Sequence, residues 1–84
     1  MEKQQHLKED YIKANRASIG MEIYRYRVKK EFSQATLAEL MGISRATISK
    51  IENGKFAISV DYLAKFAWHL DFDIRLLEKI SLDN

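Results

Sequence analysis

The sequence predicts an all-α domain of four to five helices, closed by a short C-terminal segment that reads as strand or helix. Three observations carry this. The 84 residues contain no proline and three glycines, so helix breakers are few. Gly42 and Gly54 each follow a helix-patterned stretch, where a left-handed backbone is needed and glycine adopts it without steric cost. Ser33, Ser44 and Ser59 each precede such a stretch, where a hydroxyl can accept from an unpaired backbone N–H.

Residues 1–17 form a polar leader in which Leu7, Tyr11 and Ile12 are spaced as one helical face, so the segment is either frayed or a short docked helix. Ser18 is the candidate cap of a helix from Ile19 to about Lys30, with Ile19, Ile23 and Val28 along one stripe and Arg27 beside them. Ser33 opens a helix from Gln34 to Met41 that turns Leu37, Ala38 and Met41 inward. Ser44 opens a third through Asn53, and Ser59 a fourth with Leu63, Phe66, Ala67 and Leu70 on its buried stripe. In the tail, Phe72, Ile74 and Leu76 alternate with Asp73 and Arg75 as in a strand, while Phe72, Leu76, Leu77 and Ile80 also match helical spacing. The extended reading is preferred. The chain divides accordingly into a leader (1–17), a helical domain (18–71) and a tail (72–84) that is the candidate dimerisation segment, with Trp68 as a possible addition.

Composition bounds what such a domain can do. At 46% hydrophobic and 11% aromatic residues it can pack a core. A domain of this size buries only roughly 60% of the surface its unfolded chain exposes, so its stability is small or shared with a second subunit. Cysteine is absent, which removes disulfides, zinc–thiolate sites and thiol catalysis. Apolar runs fall far short of the ~20 residues that cross a bilayer. Met1–Asp10 is charged and lacks the apolar stretch of a signal peptide, so a soluble, cytoplasmic protein is expected. Net charge is +2, from 14 Lys and Arg against 12 Asp and Glu, which is not diagnostic. Its distribution is: between Ile43 and Phe56, Arg45, Lys50 and Lys55 are opposed by Glu52 alone. Were Glu52 turned inward, that stretch would present a wholly basic outer face.

The stretch SQATLAELMGISRATISKIENG, from Ser33 to Gly54, has the parts of two short helices crossing steeply through a tight turn. Ala38 is small where the second helix packs over it, Gly42 permits positive φ at the turn, and Ile43, Ile48 and Ile51 wedge the pair against the core. On a helical wheel Ser44, Ile48 and Ile51 share one side with Glu52 at its edge; Ala46, Ser49, Lys50 and Asn53 lie opposite, flanked by Arg45 and Thr47.

Gln34, Leu37-Ala38, Gly42, Ser44, Ile48-Ser49 and Glu52-Asn53-Gly54 together resemble the Cro/CI-type (XRE family) helix-turn-helix domain, over about Ile19 to Leu70. The resemblance implies a lambda-repressor-like fold that binds double-stranded DNA, with the third helix in the major groove. It implies base contacts from Arg45, Ala46, Thr47, Ser49 and Lys50: Arg45 can take a guanine by a two-pronged contact, and the methyls of Ala46 and Thr47 can meet thymine. It also implies phosphate contacts from Ser33, Gln34, Asn53 and Lys55, which set register rather than sequence preference. In such repressors a glutamate at the Glu52 position pairs inward with a first-helix arginine, here Arg27. The expected protein is a homodimeric transcriptional repressor, since one recognition helix reads few base pairs.

Three residues depart from the pattern. Leu40 stands where the family is polar, either simply exposed or a docking point for Tyr11 and Ile12; Asp71 replaces the usual glycine after the fourth helix; Gly20 inside the first helix has no sequence-level explanation. Tyr24, Arg25 and Tyr26 interleave aromatics with charge as single-strand binders do, but helix packing explains them more simply. His6 and His69 have no companions for metal or acid–base work and are expected to be exposed, and Asp71 with Asp73 makes no general acid–base pair without a pocket. No catalytic residue, metal or cofactor is expected, and the chain does not read as an enzyme. The alternative from another class is an antitoxin-type module that neutralises a cognate toxin and represses its own operon; a third reading keeps the fold but sets Arg45 and Lys50 against an acidic protein.

Overall fold

In the computed structural model of the chain, which describes the backbone of residues 2–80 and the side chains of residues 7–80, four helices follow one another: α1 (Glu2–Lys29), α2 (Gln34–Met41), α3 (Arg45–Glu52) and α4 (Val60–Leu70). No strand occurs among the described residues. The side chain of His6 and all of residues 81–84 lie outside them.

The leader and the first helix are one element. Ser18, expected to cap, sits inside α1, because nothing from residue 2 to 29 interrupts a helix. Gly20 is there for packing, as shown below. The buried stripe also differs from the expected one. Ile19, Ile23 and Arg27 follow one another at i, i+4 and i+8, with Ile23 1% and Arg27 9% exposed, while Val28 is rotated off the face and 48% exposed.

The three later helices start and stop by side-chain and backbone chemistry that one chain completes alone. Ser33, Ser44 and Ser59 each accept a hydrogen bond from the backbone N–H three residues on. Gly42 takes a left-handed conformation at φ 69°, so that its own N–H and that of Ile43 close on the carbonyls of Glu39 and Ala38. Asp71 does the same at φ 58° after α4, and its carboxylate meets Lys30 Nζ just beyond the C-terminus of α1. An aspartate tolerates this conformation better than most residues, which is why the missing glycine does not disorder the cap.

Leu37, Ile48, Phe66, Ile23 and Leu70 form the centre, each 0–1% exposed, with one or two contributed by every helix. Burial of each such side chain favours folding by about 1.5–3 kcal/mol. Tyr11 and Ile12 border Ala57 and Ile58 of the α3–α4 connection, not Leu40, which is 47% exposed. Tyr26 packs on Phe72 with ring centroids 5.0 Å apart, and Arg27 lies 5.3 Å over the Tyr24 ring, so these aromatics serve packing. His69 is half-buried rather than exposed, because the inner face of α4 is broader than its core stripe.

The tail corrects a further expectation: residues 73–80 are neither strand nor helix. A strand requires a ladder partner, and the chain supplies none in the described residues. The segment instead runs back along α1, from Phe72 beside Tyr26 to Lys79, whose Nζ stands 4.7 Å over the Tyr11 ring.

Candidate nucleic-acid interface

α3 is anchored by its inner face and free on its outer one. Ile48 is fully buried and Ile51 is 2% exposed, while Arg45, Ala46 and Lys50 are exposed and Thr47 and Ser49 are half-buried. Its N-terminus is held by Ser44, whose Oγ accepts from the Thr47 N–H at 3.1 Å and bonds the Thr47 hydroxyl at 2.8 Å. Thr47 thus turns its hydroxyl to the cap, leaving its methyl as the part suited to an apolar contact. At the other end, Asn53 Nδ2 donates to the Ser49 carbonyl at 2.8 Å.

Glu52 faces inward. Arg27 Nε donates to Glu52 Oε2 at 2.6 Å and Nη2 to Oε1 at 3.0 Å, a two-pronged pair whose side chains are 10% and 6% exposed. The third arm of the guanidinium, Nη1, donates to the Phe32 carbonyl at 2.8 Å. Gln34 Nε2 donates to Glu52 Oε1 at 3.1 Å, so the first residue of α2 braces the last of α3. The hydrogen bonds to Glu52 hold the Arg27 guanidinium above the usual arginine range, outweighing the opposing effect of burial. The pair's main consequence is electrostatic. With the Glu52 carboxylate matched, Arg45, Lys50 and Lys55 are the charges left on this stretch, and none of them makes an ion pair among the described residues.

The other sequence-selected residues divide into two places. Ser33 is exposed at the α2 N-terminus, where its Oγ accepts from the Thr36 N–H at 3.0 Å. Gln34 and Asn53 come together in a shallow cleft with Met21, Tyr24 and the Arg27–Glu52 pair. Lys55 is exposed just beyond Gly54, held by its own N–H on the Lys50 carbonyl at 2.8 Å. Backbone donors at the start of α2, an exposed cationic α3 surface, and a lysine beyond it make a face whose charge suits a polyanion.

Gly20 is the residue that sequence reasoning left without a role. A Cβ there would stand 2.2 Å from the Ile51 carbonyl oxygen and 2.9 Å from that of Glu52, so α1 lies directly against the end of α3. Gly54 makes the reciprocal approach, at φ 71° and with a virtual Cβ 2.9 Å from Ala17 Cα. The one signal in the sequence is an isolated glycine inside a helical pattern, which costs about 1 kcal/mol against alanine without saying what repays it.

Known proteins share this arrangement. A helix-turn-helix family model matches residues 23–77, more than half of the chain. The ImmF control region 10 kDa protein of Bacillus phage phi105 is 32% identical over 64 residues, covering 76% of this chain and 71% of the phage protein. The crystal structure of the restriction-modification controller protein C.AhdI from Aeromonas hydrophila matches with a TM-score of 0.67 at 32% identity, covering 71% of this chain and 91% of that one. The fold, the turn chemistry and these likenesses agree: the chain belongs to the XRE-type helix-turn-helix family of DNA-binding transcriptional regulators.

Proposed function

We propose that the chain is a cytoplasmic repressor that binds a pseudo-palindromic operator as a homodimer, with α3 in the major groove. The observation that carries this reading is the inward turn of Glu52, which leaves an unopposed cationic surface around α3. On this reading Arg45 takes a guanine by two hydrogen bonds, Ala46 and the Thr47 methyl meet thymine methyls, and Ser49 and Lys50 read neighbouring edges. Ser33, Gln34, Asn53 and Lys55 hold phosphates and fix the register. Residues 18–71 are the DNA-binding unit, although α1 extends well before it. Two relatives named for control, one of a phage region and one of restriction-modification, support regulation by promoter occupancy.

Selection of bound duplexes from a random pool tests the reading. The expected product is a two-fold-related pair of half-sites about 34 Å apart, bound with an affinity that falls steeply with salt. A pool that emerges unenriched would remove the operator reading. Co-purification of a small toxin-like protein in its place would favour the antitoxin alternative.

A further inference from the structure

Residues 72–80 carry the pattern of a strand without its partner. Phe72, Ile74 and Leu76 alternate with Asp73 and Arg75, and side chains two apart share a face when the backbone is extended. Asp73 and Arg75 do share one, with Arg75 Nη2 3.8 Å from Asp73 Oδ2. Yet among the described residues the backbone of 73–80 makes no hydrogen bond, and Leu76, Leu77 and Ile80 are 97%, 87% and 86% exposed. An extended segment with free ladder groups and bare apolar side chains is an edge that accepts another strand.

We infer that residues 72–76 pair antiparallel with the same segment of a second copy of this chain, the two-fold axis passing through Ile74. The inference rests on the homodimer reading above and specifies its surface. Charge complementarity selects both the occupant and the register. About Ile74, Asp73 lies opposite Arg75 of the second copy, Arg75 opposite its Asp73, Phe72 opposite its Leu76, and Ile74 opposite itself. Moving the axis to Arg75 sets arginine against arginine and Asp73 against Leu77. In-register parallel pairing stacks like charge on like charge throughout. The segment is therefore complementary to itself in one antiparallel arrangement. A two-stranded ribbon needs apolar cover to persist in water. Phe72 and Ile74 already line a groove with Ile19, Ile23 and Tyr26 of α1, so each copy supplies that cover.

Sedimentation equilibrium of the full chain without DNA tests this, using Asp73→Arg, Arg75→Asp and the double reversal. Both side chains are exposed, so the helical melting transition, followed at a dilution where the chain is monomeric, should be unchanged in all three. The wild type is expected to dimerise. Each single reversal should raise the dimer Kd about tenfold, because two facing pairs become repulsive, and the double reversal should restore it to within about threefold. A monomeric wild type, a Kd indifferent to the single reversals, or a double variant as weak as the singles would overturn the pairing. The operator reading is judged separately: a monomeric wild type that still enriches duplex sites loses the pairing but keeps DNA recognition. A dimer that follows the charge rule yet enriches no site keeps the pairing and loses the operator.

Discussion

α3 and the tail contain similar kinds of residue but meet opposite fates in the single chain. In α3 the apolar side chains are buried, the N-terminus is capped by Ser44, and the one carboxylate is matched by Arg27. In residues 73–80 the apolar side chains are bare and the backbone is unpaired among the described residues. The difference teaches that exposure has two meanings here. Arg45 and Lys50 are exposed on a rigid support, which suits a surface meant to meet a polyanion. On the proposed pairing, the exposed Leu76 would be covered by Phe72 of a second copy.

Substitutions can break or sharpen this contrast. Glu52→Ala should have the largest effect, because it strands the buried Arg27 guanidinium and frees Gln34; a loss of about 3–5 kcal/mol is expected in denaturant unfolding. Gly20→Ala drives a methyl into the Ile51 carbonyl and should cost about 1–3 kcal/mol by the same measurement, with operator affinity falling as α3 is displaced. Ser44→Ala removes the cap and releases Thr47, with an expected loss of about 1 kcal/mol. Leu76→Ser and Leu77→Ser should each change unfolding of the dilute, monomeric chain by less than about 0.5 kcal/mol, while Leu76→Ser, which removes the partner of Phe72 in the second copy, should also weaken self-association. A large loss of monomer stability from either leucine would erase the contrast.

What the sequence made legible follows the same line. Serine caps at 33, 44 and 59 and the left-handed turn at Gly42 are local, and each was readable because a few adjacent residues complete the chemistry. The continuity of α1 was missed because a good cap candidate, Ser18, is silent when the helix before it also forms. Gly20 was unreadable alone, since its reason is a carbonyl on another helix thirty-one residues away. Val28 is the residue the apolar spacing misplaces: it is 48% exposed, and the buried position of the stripe belongs to Arg27, which the family resemblance, not the helix pattern, turns toward Glu52. The tail's alternation was legible as a strand, but a pattern fixes which faces a strand would have, not whether a partner is present.

The central claim is that the outer surface of α3 is the part of the molecule that meets DNA. Titrating a selected duplex into isotope-labelled protein, with amide resonances followed residue by residue, tests it most directly. The account predicts that shifts concentrate at Arg45, Ala46, Thr47, Ser49 and Lys50, with a second group at Ser33 and Gln34. Shifts gathered elsewhere on the surface, with the amides of 45–50 unmoved at saturation, would contradict it.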